Sequence, residues 1–270
     1  MLLSEVGYAR PASVDEAVRL LAENEGARPL AGGQTIVNVM KARAAAPDVL
    51  VDLADLSDLR RIAATADGGV ELGALVTYTQ ILTSAEVKAA RPVLVDVSGQ
   101  IADVQVRNRG TVGGNVCSND PTNHLPPVLV AAGATLTIVG RDGDRTVPAE
   151  DFFLGVYMTA VGPGELLTKI TLPPLPGGGD GFSAITIGAD GTCIVSAAAT
   201  VDGERARVAL GCVAATPVLL ETGCDEASVR EAVRGAGLDP PSDVHGSAEY
   251  RRHLAGIVAA RAVASAGEDG

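Results

Sequence analysis

The stretch Gln105-Val106-Arg107-Asn108-Arg109-Gly110-Thr111-Val112-Gly113-Gly114-Asn115 decides how this chain is read. Its second half reads as a glycine turn, where the backbone can approach a ligand closely and offer free N–H groups. A counterpart lies about 80 residues earlier, at Leu30-Ala31-Gly32-Gly33-Gln34-Thr35, between an expected strand and an expected helix N-terminus, the geometry that suits a pyrophosphate. Either loop alone is an ordinary tight turn. Neither is the GxGxxG of a Rossmann unit, and no GK[ST] of a phosphate-binding P-loop occurs. As a pair they can clamp one extended ligand from two sides. Arg107 and Arg109, beside the second loop, add positive charge there.

Composition narrows the ligand. The 270 residues carry a formal net charge of −12, with 47% hydrophobic and 3% aromatic residues and no Trp. A base-stacking surface needs exposed rings and positive charge together. This chain offers neither, which argues against nucleic acid and anionic membrane as partners. An acidic protein that binds a dinucleotide must rely on local backbone dipoles rather than on a basic bowl. No run reaches the roughly 18 apolar residues of a membrane span. The first ten residues lack the basic start and apolar run of a signal peptide, so the expected location is cytoplasmic. The four Cys fit reduced thiols, and without a CxxC pair no metal or iron–sulfur centre is expected on this chain.

Working outward, Ser13 and Glu16 form a capping box before an amphipathic helix. Strands are expected over 27–31 and 48–53, with a helix over 35–43 between them. Strand-like 61–64 and 70–75 flank Asp67-Gly68-Gly69, and helices are expected near 78–83 and 92–100. A hairpin over Asp142-Gly143 joins 135–139 to 145–147, and a strand at 166–172 closes this lobe. Pro173-Pro174-Leu175-Pro176-Gly177-Gly178-Gly179 is the clearest linker. Beyond it come strands at 182–187, 193–201 and 205–214. A helix capped by Ser228 follows, then a long helix over 247–264 with Tyr250, Leu254, Ile257 and Val258 on one side. The expected division is 1–55, 56–172, a linker at 173–181, and 182–270. Tyr157 and Tyr250 are expected to pack, and Cys117 to be a buried, inert thiol.

Ala31-Gly32-Gly33-Gln34-Thr35 with Met40-Lys41, and the whole run 105–115, resemble the two flavin loops of the FAD-binding medium subunits of molybdenum hydroxylases, the carbon monoxide and xanthine dehydrogenase type. Asp120-Pro121, Leu125-Pro126-Pro127-Val128 and the closing run Ser247-Ala248-Glu249-Tyr250-Arg251-Arg252-His253-Leu254 extend the resemblance over nearly the whole chain. It implies an α+β fold: a two-subdomain FAD-binding unit of the PCMH type, then a small α+β C-terminal domain. It implies non-covalent FAD held by Leu30, Ala31, Gly32, Gly33, Gln34, Thr35, Ile36 and Val37 on one side. Thr111, Gly113, Gly114 and Asn115 would hold it on the other. Ser118, Asn123 and His124 match positions that touch the ribityl or flavin side, and Ile101 and Leu167 match apolar positions near the rings. The segment 187–190 matches one that can shield the flavin. Molybdopterin and [2Fe-2S] centres are expected on a large and a small partner subunit, assembled as a dimer of heterotrimers.

Two departures stand out. Position 124 is usually acidic in that family and here is His, which can still bond a hydroxyl. After Phe182 the family often places Lys and Arg, whereas this chain has Ser183-Ala184-Ile185-Thr186-Ile187. No Ser-His-Asp pattern or acid–base carboxylate pair is visible, so the chain reads as a cofactor carrier and an electron-transfer subunit. The rival readings are a self-sufficient FAD-dependent oxidoreductase of the same fold, such as the UDP-sugar reductases, and a binding module that keeps an unused loop pair.

Overall fold

The computed structural model describes residues 3–188 and 191–267. In chain order the elements begin with β1 (Gly7–Ala9), α1 (Val14–Glu23), β2 (Ala27–Leu30), α2 (Ile36–Lys41) and β3 (Val49–Asp52). A 3-10 turn at Ser57–Arg60 leads to β4 (Ile62–Ala64), β5 (Val70–Gly73), α3 (Tyr78–Thr83), α4 (Ala85–Ala90) and α5 (Pro92–Gln100). Then come α6 (Val104–Arg109), α7 (Val112–Ser118), α8 (Leu125–Ala131), β6 (Thr135–Gly140), β7 (Gly143–Pro148), α9 (Ala149–Phe152), β8 (Phe153–Gly155), β9 (Met158–Thr159) and β10 (Leu166–Leu172). The chain closes with β11 (Asp180–Ile187), β12 (Thr192–Asp202), β13 (Arg205–Gly211), β14 (Val218–Gly223), α10 (Glu226–Gly235) and α11 (Ala248–Ala266).

These strands form a parallel sheet β1-β3-β2, an antiparallel sheet β4-β5-β10-β6-β7, a second antiparallel sheet β11-β12-β13-β14 and the small ribbon β8-β9. Segregated helices and antiparallel sheets make the fold α+β. Each main sheet has its own apolar cluster. Ala17, Val18, Leu21 and Val51 fill the first. The second gathers Leu72, Ile81, Leu94, Leu129, Leu136 and Ile170. Val195, Val208, Leu210, Leu254 and Val258 lie in the third.

Several elements depart from the sequence expectation. Ser13 caps α1 through the Glu16 N–H, but Glu16 reaches back to the Ala12 N–H, one residue earlier than a closed box. The hairpin β6–β7 pairs Gly140 with Gly143, so Arg141-Asp142 is the tip and Gly143, at φ +114°, opens the return strand. The cap of α10 is Asp225, whose carboxylate accepts the Ser228 N–H; Ser228 lies inside the helix. The strand expected over 205–214 stops at Gly211, because Cys212 turns to φ +63°. Neither Tyr packs. Tyr157 stands at the tip between β8 and β9 at φ +58°, 65% exposed, and Tyr250 is 47% exposed while Arg251 and Leu254 take the buried stripe of α11.

The linker is pinned. Arg91, fully buried, donates to Pro173 O (2.9 Å), Pro174 O (3.0 Å) and Asp180 Oδ2 (2.6 Å). Asp180 also accepts Thr200 Oγ1 at 2.6 Å. One guanidinium thus ties the start of α5 to the linker and to the first residue of β11.

Candidate functional site

The first loop begins where β2 stops pairing with β3, at Leu30 opposite Asp52. Gly33 sits at φ +74°, a region that favours glycine. Gln34 Nε2 folds back onto Gly32 O at 3.1 Å, and Asn38 Nδ2 donates to Gln34 O at 2.7 Å. Thr35 heads α2, exposed and without a side-chain capping bond.

The second loop is not a free turn: it is the first turn of α7. Thr111 Oγ1 accepts the Gly114 N–H at 3.1 Å, and the Gly113 N–H donates to Ala74 O at 2.9 Å. A Cβ on Gly113 would lie 2.6 Å from that same Ala74 oxygen, so this glycine serves the packing of α7 on the end of β5. Both loops therefore present a helix start, but the N–H groups of Val112, Gly113, Gly114 and Asn115 are all engaged within the chain, so the second loop offers close backbone approach and not the free donors expected of it.

The two loops meet. A Cβ on Gly32 would lie 2.0 Å from Arg109 O and 2.9 Å from Gly110 Cα, and one on Gly114 would lie 3.9 Å from Ala31 Cβ. No side chain larger than hydrogen fits at Gly32 without moving backbone.

Beyond the glycines, Ser118 Oγ donates to Asn115 O (2.8 Å), and Asn123 Nδ2 donates to Asn115 O (3.0 Å) and Ser118 Oγ (3.1 Å). Asn115 Oδ1 and His124 Nδ1 are buried with no partner. Such an atom costs about 1–3 kcal/mol unless something bonds it. The pair suits a ligand bearing hydroxyls, and the glycines at the start of α2 and α7 allow the close backbone approach a diphosphate needs, so the residues present fit FAD. Burial pushes the nearby Tyr78 phenol well above its usual range, opposed by a hydrogen bond with Asn115. The His124 ring lies 5.3 Å from Phe182, tilted by 57°.

Other candidates fall differently. Arg107 Nη1 is engaged by Ile101 O (3.0 Å) and Ala102 O (2.7 Å), whereas Arg109 is exposed and its guanidinium has no partner among the described residues. Ile101 is half-buried at the end of α5, and Leu167 is 3% exposed within the second apolar cluster. Ile36 and Val37 are half-buried on α2. Burial pushes the Cys117 thiol up to about 12, in keeping with an inert cysteine. Of the shielding segment, Ala189 and Asp190 lie outside the described residues. Among the described residues no cluster of His, Cys, Asp or Glu is arranged to hold a metal ion, and no helix is long and apolar enough to cross a membrane.

Asn119 was not singled out by sequence. It ends α7 in the left-handed region, at φ +40°, and its Nδ2 donates to Gly155 O (2.7 Å) and Met158 O (3.0 Å), tying the second loop's helix to the β8–β9 ribbon. Asn is among the few residues that adopt this conformation readily, a signal that could have marked it.

Residues 4–175 match the family described as the FAD binding domain in molybdopterin dehydrogenase. The carbon monoxide dehydrogenase medium chain of Afipia carboxidovorans is 38% identical, over 97% of both chains. The glyceraldehyde dehydrogenase medium chain of Sulfolobus acidocaldarius is 32% identical, over 96% of this chain and 97% of that one. Among solved structures, a chain of the Cu,Mo-CO dehydrogenase in its cyanide-inactivated form superposes with a TM-score of 0.93 at 36% identity, covering 100% of both. With the loops, the fold and the length of the match in agreement, the chain belongs to the FAD-binding medium-subunit family of the molybdenum hydroxylases.

Proposed function

We propose that this chain carries FAD non-covalently as the electron-transfer subunit of a multi-subunit molybdenum hydroxylase. It takes electrons from the [2Fe-2S] clusters of a small partner subunit and passes them to an external acceptor. A large molybdopterin subunit completes the complex, as a dimer of heterotrimers in the cytoplasm; four free cysteines are in keeping with that compartment. The observation that carries the reading is the meeting of two helix-start loops, Gly32 against Arg109 and Gly110, together with unpartnered buried polar atoms on Asn115 of α7 and on His124.

Bound FAD would supply the chemistry of accepting electrons one at a time and releasing two together. The chain's own residues bind and orient. Backbone from Leu30 to Val37, and the Thr111-capped start of α7 with Gly114, would hold the diphosphate, with Gly113 fixing that turn on Ala74. Asn115, Ser118, Asn123 and His124 would face the ribityl hydroxyls. Ile101 would border the rings, and Leu167 would support that wall from the core. In this reading residues 1–55 and 56–172 are the two flavin-binding subdomains, and 182–270 form the C-terminal domain.

The test is reconstitution. The isolated, FAD-loaded chain mixed with aldehydes or N-heterocycles and a dye should show no substrate-dependent turnover. Adding both partner subunits should restore it, and denaturing the chain should release unmodified FAD. Turnover by the lone chain at the rate of the assembly would replace this reading with the self-sufficient flavoenzyme.

A further inference from the structure

Below the start of α8, three reactive side chains come together from distant parts of the sequence. His124 precedes α8, Cys193 lies near the start of β12, and Cys212 follows β13; they are 5%, 2% and 5% exposed. The β11–β12 pairing skips Ile194, matching Ile185 with Val195 and Thr186 with Cys193. Next to this irregularity Cys193 packs against Cys212. The Cys212 Sγ lies 3.7 Å from Cys193 O and 2.9 Å from Pro121 O. Its backbone holds φ +63°, which L side chains rarely adopt. A thiol kept in that conformation against a second cysteine is an arrangement the mechanism above does not use.

We propose that Cys193 and Cys212 are a dithiol pair that hydrogen peroxide, or another small hydroperoxide, converts to a disulfide. The Cys193 thiolate attacks a peroxide oxygen; the O–O bond breaks, and hydroxide leaves and is protonated to water. The sulfenic acid so formed is attacked by the Cys212 sulfur; the S–S bond forms, the S–O bond breaks, and the hydroxyl leaves with the Cys212 proton as a second water. Two thiols and one peroxide thus give one disulfide and two waters.

Selectivity among the four cysteines follows from their surroundings. The hydrogen bond from Cys212, with help from His124, pulls the Cys193 thiol below its ordinary range despite burial. Burial pushes Cys117 and Cys224 the other way. A thiolate is the nucleophile, so Cys193 reacts first, and Cys212, held 3.7 Å from Cys193 O, is the resolving sulfur. Closing the disulfide removes the Cys212 S–H donor and alters the surroundings of His124. The pair's chemistry needs no flavin and stands apart from the function proposed above.

Peptide mapping tests it. The full chain is treated with one equivalent of hydrogen peroxide, alkylated under denaturing conditions and digested without reductant. The expected result is a Cys193–Cys212 linked peptide lighter by two hydrogens, a fall from four alkylatable thiols to two, and full reversal by dithiothreitol. Cys212→Ser should lose the link and leave a dimedone-trappable sulfenic acid on Cys193. If Cys193 and Cys212 in the unmutated chain stay alkylatable, or if Cys117 or Cys224 is consumed first, the proposal is overturned.

Discussion

Arg251 shows what a single buried cation organises. It is 3% exposed on α11, and its Nη1 donates to Ile194 O. Its Nη2 donates to both Asp243 oxygens, at 2.9 and 2.7 Å. Asp243 also accepts the His245 and Gly246 N–H groups, at 2.9 and 3.1 Å. These backbone bonds, then the guanidinium, hold its carboxyl below the usual carboxylate range. A lowered folded value stabilises the protein above the unfolded value, about 3.9 for Asp, and the contribution is lost as pH falls through the folded value. The Asp243 side chain is 41% exposed, so solvent discounts the effect to about 1 kcal/mol. Asp243→Asn should therefore lower the urea-derived stability by about that amount at pH 6. The gap from the unmutated chain should close on acidification, and a gap that widened below about pH 3 would contradict the assignment. Arg251 falls in the run that resembled the family's closing helix, yet no spacing rule tells that it reaches back to the edge of β12.

At the scale of elements, the second glycine loop gains its shape from one hydroxyl. Thr111 Oγ1 caps α7 through the Gly114 N–H, so the turn that faces Ala31 is the turn the cap fixes. Thr111→Val keeps the shape of the side chain and removes the acceptor, at a typical cost of about 1 kcal/mol. Fluorescence titration should show FAD affinity falling about fivefold, since 1.4 kcal/mol corresponds to a factor of ten. Unchanged affinity in a destabilised variant would show that α7 only packs and does not hold ligand. Sequence made both loops legible because their glycines are close together in the chain. It did not reveal that Gly113 answers to Ala74 O while Gly114 faces the other loop, since that depends on which way a Cβ would point. The strand β14 passed unnoticed because its residues are only half-buried and carry no clear alternation. The strand ending at Gly211 was overrun because an apolar run gives no sign that Cys212 turns left-handed.

At the scale of the whole molecule, the Pro- and Gly-rich run 173–179 lies between β10 of one sheet and β11 of the next. Composition alone suggests a loose connection, and the structure shows a fastened one. The fastening comes from Arg91 and Asp180, 89 residues apart, a separation at which no local pattern pairs two charges. Both side chains are out of solvent, 0% and 2% exposed, so their ion pair is sustained by its hydrogen bonds to Pro173 O, Pro174 O and Thr200 Oγ1. Removing one member of such a pair leaves the other charge buried and uncompensated, which typically costs about 3–5 kcal/mol. Arg91→Leu should show that loss in chemical denaturation and should also open the linker to protease between residues 173 and 181. The double variant Arg91→Leu/Asp180→Leu removes both charges, and should recover much of the stability while leaving the linker cleavable, because the two proline carbonyls still lack their donor. Restored resistance to cleavage in the double variant would mean that packing of β11 against α11, rather than the Arg91 donors, holds the linker in place.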